Sequence, residues 1–122
     1  MSRVVLVNER KRVRFNVEAD DGTVVFKGSM CAKKDDAERR AKSIMGYGDE
    51  LPEHLQIMKG PDGKFAVRGE DHRSREGEKG RIGDAVPLGF GAGQFETEAE
   101  AEELRQKIIR ALDGAEYADE TA

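Results

Sequence analysis

The chain has 122 residues, of which 38% are charged, with a formal net charge of −4 and one cysteine, Cys31. That length suits one domain, or two half-sized units on a shared core, and needs neither disulfide nor metal to fold. A single cysteine excludes an intramolecular disulfide, and no apolar run approaches the ~18 residues of a membrane-spanning helix. With no leader-type apolar segment either, the chain is expected to be cytoplasmic.

Charge is unevenly spread: residues 1–47 hold 11 Lys/Arg against 7 Asp/Glu, and residues 48–122 hold 10 against 18. The first element, Arg3–Val7, reads as a strand that is apolar on both faces, with Val4 and Leu6 on one side and Val5 and Val7 on the other. Such a strand needs cover on its second face, which motivates a homodimer that buries Val5 and Val7. Asn8–Lys11 connects to Arg12–Ala19, where Val13, Phe15 and Val17 alternate with Arg14, Asn16 and Glu18 at the period of a half-buried strand. Asp20-Asp21-Gly22 supplies turn chemistry and Thr23–Lys27 the return strand. A helix over Lys33–Met45 buries Ala37, Ala41, Ile44 and Met45, and Gly46-Tyr47-Gly48 stops it.

Asp49–Glu53 is the connector. His54–Lys59 and Lys64–Arg68 then form a second hairpin around Gly60-Pro61-Asp62-Gly63. Glu70–Gly83 has no strand or helix period, and Ala85–Phe90 reads as a short strand whose Pro87 suggests a sheet edge. Thr97–Leu112 is a helix with a capping box, Thr97 with Glu100, and a buried stripe of Ala101, Leu104, Ile108, Ile109 and Leu112. Gly114 ends it, and the acidic tail 114–122 is expected to be disordered.

The halves superimpose: Val4 and Leu6 on Leu55 and Ile57, Phe15 on Val67, Ala37 and Ile44 on Ala101 and Ile108. The chain therefore reads as one α+β domain over 1–122 with pseudo-repeats 3–47 and 54–113. Two strand-strand-strand-helix repeats would form one antiparallel sheet with both helices on one face.

Phe15-Asn16-Val17-Glu18-Ala19, Asp21-Gly22-Thr23-Val24-Val25 and Lys34-Asp35-Asp36-Ala37, with the hairpin LQIMKGPDGKFAVR, resemble the YegP-like family of small duplicated domains of unknown function. Cys31 stands where the family usually carries Tyr, and the second half has about a dozen extra residues after Arg68. The resemblance implies the fold and self-association, and no activity.

No set of residues suggests catalysis, a metal or a cofactor. His54, His72 and Cys31 are isolated, with His54 expected on a strand-edge surface and Cys31 packed as a small hydrophobe. Gly89-Phe90-Gly91-Ala92-Gly93 precedes a helix as a phosphate loop does, but Glu96, Glu98 and Glu100 occupy the helix start a phosphate would need. The primary reading is a non-enzymatic protein-interaction module. Its expected contacts are self-association through Val5 and Val7 and partner binding through Arg73, Arg75 and Arg81 of the extra loop.

One alternative is a nucleic-acid binder using Arg10, Lys11, Arg12, Arg14, Lys33, Lys34, Arg39, Arg40 and Lys42. Against it, Phe15, Phe26, Phe65 and Phe95 fall at inward or loop positions, which leaves only Tyr47 and Tyr117 free to stack. Another alternative is an inhibitor or adaptor of the kind that phage and mobile elements encode.

Overall fold

The computed structural model describes residues 1–71 and 86–121. Three strands, β1 (Arg3–Glu9), β2 (Arg12–Glu18) and β3 (Val24–Gly28), lead into helix α1 (Lys34–Met45). A short turn of helix, α2 (Leu51–His54), precedes β4 (Leu55–Lys59), β5 (Phe65–Asp71) and β6 (Val86–Gly91). Helix α3 (Glu98–Leu112) and β7 (Glu116–Asp119) complete the order. The seven strands make one sheet in the order β4-β5-β6-β3-β2-β1-β7.

The two three-stranded units meet at β3 and β6, which pair antiparallel through Phe26↔Gly91, Lys27↔Phe90 and Gly28↔Gly89. Equivalent bridges, Val13↔Cys31 and Phe65↔Phe95, close each unit where its last strand leaves for its helix. Thr97 caps α3 as its sequence requires: its Oγ1 accepts from Glu100 N–H at 3.2 Å, and Glu100 Oε1 accepts from Thr97 N–H at 3.2 Å.

Both long helices pack on the sheet face that carries Val4, Leu6, Phe15, Val17 and Val67, and their buried side chains join these in one cluster. Phe15 and Phe26 stack at its centre with ring centroids 5.9 Å apart. Their rings occupy room that glycines leave. A Cβ on Gly28 would overlap the Phe15 ring, and one on Gly69 would lie 2.7 Å from Phe26 Cζ. Cys31 is buried in the same cluster.

The purely antiparallel, two-helix sheet expected from the sequence is corrected on two counts. The connector folds into α2, a third helix, and β7 pairs parallel to β1 through Arg3↔Glu116 to Leu6↔Asp119. The acidic tail is ordered there because its charges find partners. Lys34 Nζ lies 2.6 Å from Asp119, Arg3 Nη1 donates to Glu120 at 3.0 Å, and Tyr117 Oη donates to Glu38 at 3.3 Å. The Lys34 hydrogen bond holds the Asp119 carboxyl down to about 2 from 3.8, while burial leads Tyr117 up to about 12.

Other boundaries shift as well. His54 ends α2 and is buried, stacked on the Tyr47 ring at 3.6 Å, with Nδ1 placed 2.8 Å from the Glu70 carbonyl. Pro87 does not mark an edge, since β6 is central. It sits beyond the bulge at Gly69/Glu70, where its missing N–H is tolerated.

Two outcomes check this architecture. Gly28→Ala should cost about 1–3 kcal/mol by overpacking Phe15, lowering the melting temperature by roughly 5–15 °C. Phe15→Leu should restore part of that loss in a thermal melt. The Asp119 carboxyl titrates lower in the folded than in the unfolded chain, so its contribution is complete above 3.8 and is lost as pH falls towards 2. Across pH 5 to 2 the melting temperature of Asp119→Asn should therefore fall less steeply than that of the wild type.

Candidate functional site

The sheet face opposite α1 and α3 carries no helix among the described residues, and there the strand registers bring together a set that no local sequence pattern displays. Gln56 pairs with Arg68, Arg68 with Phe90, Phe90 with Lys27, Lys27 with Asn16, Asn16 with Val5, and Val5 with Ala118. Directly opposed residues share a face, so these seven form a single row across the whole sheet.

Phe90 is 52% exposed in that row, between the cations of Arg68 and Lys27. Met58, 42% exposed, lies one step along β4 from the row, with its sulfur 3.9 Å from Arg68 Nη1. A depression of about 520 Å³ runs beside Phe90, walled by Arg14, Lys27, Ser29 and Met30 and floored by glycines.

The electrostatics of the face are local. Arg68 lies 3.3 Å from Glu70, Arg14 lies 3.3 Å from Glu9, and Arg3 bridges Glu18 and Glu120 at the β7 edge. Lys27 has no ion pair among the described residues, and neither do Arg10, Lys11 or Arg12. Three polar atoms on this face are buried without a hydrogen-bond partner among the described residues, Arg14 Nε, Asn16 Oδ1 and Arg68 Nε, the last within ion-pair distance of Glu70.

Several sequence-based assignments move. Val5 is fully buried within one chain, flanked by the Asn16 and Ala118 positions of β2 and β7, and Val7 is half-buried. The exposed apolar flank that motivated a dimer through Val5 is therefore already covered at that residue. Tyr47 is buried and Tyr117 is half-buried against α1, so neither is a free aromatic. Arg73, Arg75 and Arg81, like His72, lie outside the described residues. Among the described residues no group of three or more His, Cys, Asp or Glu could hold a metal ion. No helix there is long and apolar enough to cross a membrane.

A cavity of about 680 Å³ lies on the other side of the sheet, between the β2–β3 turn and α3. Its apolar floor of Val24, Val25 and Phe95 is rimmed by charges of both signs, including Asp21, Glu103 and Lys107.

Phe90 is the residue the sequence reading missed. The signal for it was the run Gly89-Phe90-Gly91, in which each glycine faces a crowded neighbour and the aromatic between them turns outward. A Cβ on Gly91 would meet Leu104, Val67 and Ile108.

This is a small α+β domain made of two joined three-stranded units. It is similar in fold to YegP from E. coli, a protein of unknown function, whose solution structure superimposes with a TM-score of 0.76 at 14% identity, covering 99% of this chain and 94% of that one. A UPF0339 protein from Shewanella oneidensis matches with a TM-score of 0.76 at 11% identity, covering 98% of this chain and 92% of that one. At these identities the likeness is one of fold, and at that level it bears out the resemblance read in the sequence. No protein-family model and no curated protein matches the chain.

An aromatic that is half in water and outside the core costs much less to remove than a buried one. Phe90→Ala should leave the melting temperature within a few degrees of the wild type in a calorimetric scan, where Phe26→Ala should lower it severely.

Proposed function

We infer that this chain is a non-enzymatic interaction module, acting in the cytoplasm, whose working surface is the helix-free face of the sheet. The observation that carries this reading is Phe90, a large aromatic half in water at the middle of a sheet whose other central rings, Phe15 and Phe26, are fully buried. Apolar surface held in water on rigid strands, with cations on either side of it, suits recognition and contributes nothing to the core. Met58 extends the same patch.

Self-association is a second reading of the same face. In this reading Phe90 and Met58 supply the contact that the sequence assigned to Val5 and Val7, with Val7 at its margin.

Hydroxyl-radical footprinting tests both readings, because Phe90 and Met58 are themselves oxidation reporters and Met1, 77% exposed, is an internal control. In a cell extract, Phe90 and Met58 should be protected at least several-fold relative to Met1. If both oxidise as fast there as in the dilute purified protein, the face is not the working surface. Protection that grows with the concentration of the purified protein alone would identify a second copy as the occupant.

A further inference from the structure

The row Arg68–Phe90–Lys27–Asn16 has a chemistry more specific than an apolar patch. An aromatic ring open on one face accepts any flat π-system, and a cation on the adjacent strand at each side favours a partner that carries regular negative charge. From Lys27 the cations continue along one strand direction. Arg14 neighbours Asn16 on β2, Arg12 follows two residues on, and Arg10 and Lys11 form the tip of the β1–β2 hairpin.

That tip is held against its own backbone preference. Arg10 and Lys11 both have positive φ, 50° and 67°, a two-residue turn that Asn-Gly would adopt with less strain. Two exposed cations thus occupy positions where neither contributes to the fold. Of the acidic side chains, Glu98, Glu100 and Glu103 are exposed on α3 across the sheet, while on this face Glu70 pairs with Arg68 and Glu9 with Arg14.

The cations without a carboxylate partner among the described residues, Lys27, Arg12, Arg10 and Lys11, are all exposed, so phosphates can reach them directly. A second copy of this chain fits the row less well, since a chain seated face to face would bring Arg68 and Lys27 towards the same cations of its partner.

We propose that the helix-free face binds single-stranded nucleic acid, with a base stacked on Phe90 and phosphates along Lys27, Arg12 and the Arg10-Lys11 tip. This assignment rests on that face being the working surface, and it names the partner.

The test is fluorescence anisotropy of the full chain with a labelled single-stranded oligouridine, the matching oligodeoxyuridine and an RNA duplex. Both single strands should bind more tightly than the duplex, and their affinity should fall as salt rises with a log–log slope of about −3, as expected for about four phosphate contacts on a single strand. Phe90→Ala should weaken binding roughly 5- to 100-fold without moving the melting temperature, the loss expected for one base–aromatic stack. Replacing Arg10-Lys11 by Asn-Gly should raise the melting temperature and weaken binding of both strands, a combination that a purely structural turn would not give.

Saturable binding of the single strands absent at low salt, equal affinity for the duplex, or affinity indifferent to Phe90→Ala would each overturn the proposal. Should both strands fail while Phe90 and Met58 remain protected in extract, the partner is wrong and the interaction face stands. Should protection fail too, both fall.

Discussion

Everything in this molecule depends on how closely β3 and β6 approach. The two units share only three opposed pairs between these strands, and one end of that seam is glycine on glycine, Gly28 against Gly89. Gly89 sits at φ +148°, and the nearest atom to a Cβ there would be the Lys27 carbonyl oxygen, with Gly28 Cα at 2.7 Å. With no side chains to hold the backbones apart, the rings of Phe15 and Phe26 fill the space above the seam. The first unit contributes the bulk and the second leaves the room, which makes one core from two copies of a motif.

That division explains why the copies have diverged. Val17 of the first unit corresponds to Gly69 of the second, each opposite the first strand of its own unit at Val4 and Leu55. A symmetric sequence would place two aromatic pairs over one seam and overfill it. The opposite face is released from this constraint, since neither long helix packs on the row that crosses it. Its residues could therefore be chosen for other properties, and they are: the same register that buries Phe26 places Lys27 and Phe90 side by side in water.

Local periodicity made much of the fold legible. The alternation in Arg12–Glu18, the 3.6-residue stripes of α1 and α3 and the Thr97–Glu100 box are short-range signals, and the structure keeps them. What was not legible is long-range. The pairing of β7 with β1 is stabilised by Lys34–Asp119 and Arg3–Glu120, contacts between residues far apart in the chain, so the tail read locally as acidic and structureless. His54 looked like a surface residue because its ring partner, Tyr47, is brought back to it only by the short helical turns that end in α2, which the connector did not announce. The candidate site was hidden for the same reason: Arg68, Phe90, Lys27 and Asn16 come from four strands and become neighbours only through register. Val5 shows the converse, a correct reading of a two-faced strand whose cover came from the chain's own β2 and β7 positions.

The parallel pairing of β7 with β1 has a bearing on how the protein is made. Glu116 N–H donates to Ser2 C=O and Glu120 N–H to Leu6 C=O, so the outer edge of β1 is completed by residues translated about a hundred positions later. On the ribosome β1 can pair with β2 almost at once, while its other edge, lined by Val4 to Val7, stays an open template for foreign strands. The interval in which the nascent chain is most prone to aggregate therefore ends only when β7 docks. Docking draws on salt-sensitive contacts at the chain end as well as on backbone hydrogen bonds, so ionic conditions during synthesis govern how quickly that edge is sealed.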